Sequence, residues 1–149
     1  MTLLLTSDVH GDIGRLKRLV AKFADADLHV DAGDLCSRNQ AFHHPFTTVK
    51  GNNDFGSSEP LMRLIEIGGL RVMVTHGHVE RVKFGLERLL DKAKAQQADV
   101  CIFGHTHRRY LDRRDGILFI NPGSLGGPDH SYAIYEDGQV RFDRMNDGS

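Results

Sequence analysis

The chain has 149 residues, 40% of them hydrophobic and 26% charged, with a formal net charge of −1. That length fits one ordinary domain able to bury its own core, expected over residues 1–149, and the composition excludes a disordered polymer. No apolar stretch approaches the roughly 18 residues of a membrane helix, and the near-neutral charge gives no electrostatic reason to expect a nucleic-acid or acidic-membrane partner.

Residues 2–7 (TLLLTS) form a continuous apolar run that stops at Asp-Val-His-Gly-Asp, the pattern of a buried parallel strand ending in a loop. Leu16, Leu19, Val20 and Phe23 recur at helical spacing and predict a helix over 14–24. Residues 28–30 and 46–49 are short strands, each running into an acidic or amide-rich loop. Residues 61–67 and 70–75 flank Gly68-Gly69 and read as a hairpin whose second strand ends at His76. Leu86, Leu89, Leu90 and Ala93 predict a helix over 82–97, and residues 100–103 a strand ending at Gly-His-Thr-His. Two further hairpins turn at Asp115-Gly116 and Asp137-Gly138, and residues 146–149 should fray.

Cys36 and Cys101 form no C-x-x-C pair and read as reduced thiols, which suits the cytoplasm. The N-terminal run lacks a basic flank and meets Asp8 too early for a signal peptide.

Five predicted strands, ending near residues 7, 30, 49, 75 and 103, close on polar clusters. In open α/β sheets ligands bind beyond the carboxyl ends of the strands. The clusters are Asp8-Val9-His10, Gly33-Asp34, Gly51-Asn52-Asn53-Asp54, His76-Gly77-His78 and Gly104-His105-Thr106-His107. Together they offer carboxylates, imidazoles and an amide oxygen, a set taken by borderline divalent metals; the absence of thiolates argues against a structural zinc knot. If the strand geometry continues through the D-x-H pair, Asp8 and His10 point the same way and can grip one ion. His105 and His107, in a tight loop, can serve two neighbouring ions. Asp34 follows Gly33, where the chain can approach closely, and can bridge both.

In this order the motifs resemble those of the calcineurin-like metallophosphoesterase superfamily: D-x-H, G-D, G-N-x-D/E, H and G-H-x-H. Thr75-His-Gly-His78 and Asn121-Pro-Gly-Ser124 make the likeness closer to its compact, cap-less YfcE-like phosphodiesterase group. The resemblance implies an α/β four-layer α/β/β/α sandwich of two mixed sheets with outer helices. It also implies a ligand set: Asp8, His10 and His107 for one metal, Asn52, His76 and His105 for the second, and Asp34 between them. Manganese, iron, nickel and zinc are all compatible with such donors. Two divalent ions about 4 Å apart activate water and clamp the phosphoryl oxygens, so no side-chain nucleophile is required.

The supporting residues are less uniform. Asp54 is expected to orient His10 or its loop, or else to form a turn in its own loop. Many relatives carry a catalytic His where this chain has Asn53, and an amide cannot act as a general acid. Substrates with good leaving groups should then be favoured, unless His78 supplies the proton. Arg38, in a G-D-x-x-x-R spacing, is a candidate for binding the substrate phosphate. Asp12 reads as loop scaffolding and Asn121 as a cap within a rigid loop behind the metals. His29, His43, His44 and His130 read as structural or surface residues, with His43 and His44 nearest the substrate.

The leading expectation is a phosphodiesterase acting on a small phosphate ester in an open cleft. Alternatives are a phosphomonoesterase or dinucleoside-polyphosphate hydrolase and, in another class, a protein-binding scaffold like the retromer subunit of the same fold. A nuclease reading is weaker, since DNA-cutting relatives carry additional domains. A homo-oligomer is left open.

Overall fold

Both faces of the first strand are covered, and that fixes the layering. In β1 (Thr2–Thr6), Leu3 and Leu5 enter one apolar core and Leu4 enters another. The computed structural model describes residues 1–37 and 45–145. After β1 come α1 (Ile13–Lys22), β2 (Leu28–Asp31), β3 (Phe46–Thr48), β4 (Met62–Ile67) and β5 (Leu70–Thr75). A 3-10 turn (Val82–Phe84), α2 (Glu87–Ala95) and β6 (Val100–Ile102) follow. The chain continues through β7 (Arg109–Arg114), β8 (Ile117–Pro122), β9 (Ser131–Glu136) and β10 (Gln139–Arg144).

Two five-stranded mixed sheets result, in the orders β10-β9-β1-β2-β3 and β4-β5-β6-β8-β7. In the first, β1, β2 and β3 run parallel; in the second, β5, β6 and β8 do. The hairpin partners β10, β4 and β7 pair antiparallel at the edges. Leu3, Leu5 and Val30 meet Val72, Val74, Ile102 and Ile120 between the sheets. Leu16 and Leu19 of α1 cover the outer face of the first sheet, and Leu89 and Ala93 of α2 that of the second. This is the expected four-layer α/β/β/α sandwich.

The expected helix over 82–97 is instead two pieces. Arg81 and Gly85 have positive φ, 55° and 126°, so the 3-10 turn closes at Gly85 and α2 starts afresh. Helix α1 ends at Lys22 rather than residue 24: Phe23, at φ −115° and ψ 41°, has left helical backbone while its N–H still bonds the Leu19 and Val20 carbonyls. Asp12 does more than scaffold its loop: its carboxylate accepts from the N–H of Arg15, capping α1, and pairs with the Arg15 guanidinium.

The parallel strands of each sheet end at one side of the sandwich. The loops after β1 and β2 are laced together by Asp8 N–H to Gly33 O and His10 N–H to Asp34 O, both 2.9 Å. In the second sheet Gly104 N–H donates to His76 O at 3.0 Å. A Cβ on Gly104 would collide with the Ser7 hydroxyl and the Asp8 carboxylate, so only glycine lets the two sheets' loops meet here.

Candidate metal centre

The expectation that Asp8 and His10 project together from extended backbone is corrected. Asp8, His10, Asp34, His105 and His107 all occupy the left-handed region, with φ of 53°, 51°, 58°, 70° and 63°. Such backbone costs about 1–3 kcal/mol per residue outside glycine and persists where the surroundings over-determine it. It turns each side chain inward from a tight loop rather than along a strand.

Asp8 is the meeting point. Its carboxylate is fully buried, and Oδ2 accepts from the Ser7 hydroxyl at 2.6 Å and from His105 N–H at 3.0 Å. Oδ1 has no hydrogen-bond partner. Around it stand three imidazole nitrogens: His107 Nε2 at 3.1 Å, His10 Nε2 at 3.6 Å and His76 Nε2 at 3.7 Å. Two groups of metal-competent atoms share this residue. One is Asp8, His10 and His107; the other is Asp8, Asp34 and His76, and within each the atoms lie within 4.8 Å of one another.

His76 provides the test of fit. Its Nδ1 lies 2.8 Å from the carbonyl of Ala32, which can only accept, so Nδ1 carries the proton. The other ring nitrogen is buried and unpartnered, 3.3 Å from Asp34 Oδ2 and facing Asp8. A lone pair aimed at two carboxylates is repulsive unless a cation lies among them. The same demand appears in the titration of these groups. Burial would lower the His76 pKa, yet Asp34 and Asp8 raise it. Burial would raise the Asp34 pKa, yet His76 and two donors from Asn53 hold it well below the usual carboxylate range. Asp8 is likewise lowered despite its burial, by His107, His76 and Ser7. Oxygen and imidazole donors suit divalent metals, and the orphaned atoms fit them.

His10 and His107 bring their Nε2 atoms to 3.2 Å. Asp8 holds the His107 pKa up, whereas burial, then His76 and Lys83, push His105 down to about 4. The rings of His76 and His105 are 5.1 Å apart, and that of His78 is 5.5 Å from His76 and 6.2 Å from His105. His78 keeps a buried, unpartnered Nδ1, and its pKa is lowered by burial and by His76.

Asn52 is exposed and makes no side-chain hydrogen bond to the cluster among the described residues. Its neighbour Asn53 turns to Asp34 instead. Asp54 does not reach His10: its Oδ2 accepts from Asp34 N–H at 2.8 Å and Gly51 N–H at 2.7 Å, and its Oδ1 from Cys36 N–H at 2.8 Å. It therefore ties the loop after β3 to the loop that carries Asp34. Arg38, His43 and His44 lie outside the described residues.

Behind the cluster, Asn121 donates to Gly104 O and Thr106 Oγ1, and Ser124 to Asp8 O. Sequence reasoning missed three supports. Ser7 binds the Asp8 carboxylate, and a hydroxyl beside a motif acid was the available signal. Glu80, buried, receives the Thr75 hydroxyl at 3.0 Å and Lys92 Nζ at 2.6 Å, closing the loop of His76 and His78. Asp31, buried, accepts from the Thr6 and Thr48 hydroxyls and Gly33 N–H. The last two carry no motif signal.

A sandwich of this layering, with acid and imidazole loops converging at its parallel strand ends, defines a metal-dependent phosphoesterase. The chain belongs to the calcineurin-like phosphoesterase superfamily, whose domain model matches residues 1–137. It is 36% identical over 141 residues to the probable metallophosphoesterase YsnB of Bacillus subtilis, covering 90% of this chain and 83% of that one. Against the phosphodiesterase YfcE of Escherichia coli it is 26% identical over 100% of this chain and 95% of the other. The structure of a predicted phosphoesterase from Streptococcus pneumoniae superposes with a TM-score of 0.86 at 28% identity, covering 99% and 93% of the two chains. Family and paired clusters together make the protein a phosphoesterase with a binuclear divalent-metal centre.

Proposed function

We propose that this protein is a phosphodiesterase for small or activated phosphate diesters. The observation that carries the reading is the shared Asp8, whose buried, unpartnered Oδ1 faces imidazoles from both groups. Asp8, His10 and His107 would hold one ion and Asn52, His76 and His105 the other, with Asp34 as the carboxylate offered to both and Asp8 also facing His76. Manganese, iron, nickel or zinc suits these donors. When bound, the two ions supply Lewis acidity toward a phosphoryl oxygen.

The chain's own residues supply position and protons. Ser7 and the His105 N–H orient Asp8; Asn53 and Asp54 orient Asp34 and its loop. His78, beside His76 and His105, is the imidazole placed to move a proton at the leaving-group oxygen. Asn53 cannot do so. An aryl leaving group needs little of that help, so aryl esters should outpace alkyl esters, and a diester, with one negative charge, should be preferred to a doubly charged monoester beside these carboxylates. Arg38 is assigned the substrate phosphate through its bidentate guanidinium.

No helix among the described residues is long and apolar enough to cross a membrane, and Cys36 and Cys101 are free thiols, which supports a cytoplasmic setting. The test is a matrix of metals against substrates on chelator-stripped protein. Hydrolysis of a bis-aryl diester faster than the matching monoester is expected. Monoester preference with every metal would overturn the diesterase reading, and inactivity throughout would favour a protein-binding role.

A further inference from the structure

Beyond the metal centre, on the side of the G-H-T-H loop, lies a cleft of about 560 Å3. Its link to the centre is Thr106, which lines the cleft and stands between His105 and His107. The walls are apolar and aromatic: Leu86, Phe103 and Tyr110, the last two ring against ring at 5.9 Å. The rim is cationic. Lys83 and Arg108 both line it, both are exposed, and neither side chain has a partner among the described residues. Arg109 lines it too, but its guanidinium is taken by the Ser131 hydroxyl and the carbonyl of Asp143. None of the cleft's described lining residues is acidic, in a chain whose acids outnumber its lysines and arginines by 20 to 19.

An unpaired pair of cations over an aromatic wall is complementary to a molecule that joins a phosphate to a flat ring. The volume lies within the range of small-molecule sites. We propose that this cleft is a second substrate subsite that binds a nucleoside phosphate, the portion of the substrate beyond the scissile phosphorus. Lys83 and Arg108 take its phosphate, and the wall around Tyr110 takes its base. The proposal rests on the phosphoesterase reading and narrows it to diesters or anhydrides that carry a further phosphorylated nucleoside. A bis-aryl diester reaches the metals but leaves Lys83 and Arg108 unused.

The test is equilibrium binding of the α,β-methylene analogue of ADP, whose P–C–P bridge cannot be hydrolysed, with recovery of intact analogue checked at the end of each titration. The full chain is studied loaded with zinc and again in chelator, with amide shifts mapped by NMR. Shifts at Lys83, Thr106, Arg108 and Tyr110 are expected in both states, with affinity falling as salt is added. Exposed charge pairs are individually weak, so the Lys83→Ala/Arg108→Ala double variant should lose about tenfold in affinity. The Lys83→Arg/Arg108→Lys variant should restore most of it. Inorganic pyrophosphate and adenosine are the control arms, and each should bind more weakly than the analogue. Binding that ignores the double variant, shifts that avoid the cleft, or no binding at millimolar concentration would overturn the subsite. So would pyrophosphate binding as tightly as the analogue, which marks an inorganic-anion site only. Because binding is read without turnover, an inactive protein that still binds here would sink the phosphoesterase reading and, with it, the cleft's role as a substrate subsite, while its affinity for a nucleoside phosphate would stand. An active one that fails to bind would sink this inference alone.

Discussion

Asn53 grips both oxygens of Asp34: its backbone N–H donates to Oδ1 and its side-chain amide to Oδ2, each at 2.9 Å. The side chain that stands where the resemblance sets an imidazole therefore holds the Asp34 carboxylate. Asn53→Ala removes one of the two bonds. A hydrogen bond to a charged group contributes about 1.5–3 kcal/mol, so a metal titration should show affinity falling by about tenfold or more. Asn53→His should raise monoesterase relative to diesterase kcat/KM, measured at equal metal occupancy. An unchanged ratio would mean that His78 alone protonates the leaving group as fully as two imidazoles could, and that the monoester's handicap does not lie in Asn53.

Asp8 belongs to both groups of metal-competent atoms, and Asp34 to one. Asp8→Asn should therefore cost both ions. Asp34→Asn should damage both sites too if Asp34 lies between the ions. Elemental analysis of purified wild type should approach two ions per chain and that of Asp8→Asn should fall below one. A wild type that never exceeds one ion under saturating metal defeats the binuclear assignment.

His78 makes ring contact with His76 and His105 but is in neither group. His78→Ala should leave metal content nearly intact while turnover drops by about a hundredfold, the lower range for a placed acid or base. Loss of an ion in this variant would instead make His78 a ligand.

Asp31 gives a pH prediction. Burial raises its pKa to about 7, against the opposing effect of the Thr6 hydroxyl, the Gly33 N–H and the Thr48 hydroxyl. An unfolded aspartate titrates near 3.9. Between those values the folded chain holds a proton that the unfolded chain has lost. Stability contributed by the protonated form is thus complete below about pH 4 and is lost as pH rises through about 7. Asp31→Asn abolishes this slope. Denaturant unfolding of chelated protein should show the variant gaining on wild type from pH 4.5 to pH 8. A constant difference across that range would refute the raised pKa.

The layering was readable because Leu3, Leu4 and Leu5 form a run buried on both faces, and because apolar runs stop at acid and imidazole clusters. The grouping of Asp8 and His10 with His107 came from the resemblance to the metallophosphoesterases rather than from those runs. The backbone that gathers them was not readable. Period-two alternation describes an extended chain, and left-handed Asp8 and His10 obey local hydrogen bonds to the next loop instead. The break at Gly85 was hidden because Leu86, Leu89 and Leu90 keep a helical rhythm whether or not a 3-10 turn precedes them. Glu80 and Asp31 could not be singled out, since a buried carboxylate is recognised by its partners, and those come from Lys92, Thr6 and Thr48, remote or one strand away.

Each group of metal-competent atoms draws members from both sheets. Asp8 and His10 follow β1 and Asp34 follows β2, while His76 follows β5 and His107 lies beyond β6. An ion seated in either group is thus a noncovalent rivet through the seam where two independently hydrogen-bonded sheets face each other across an apolar layer. Apolar contact resists separation of the sheets but has little directional grip against sliding. Coordination bonds are directional. The catalytic cofactor would then double as the fastening that sets the sheets' mutual alignment, and the grip of the fastening would depend on free metal concentration through mass action.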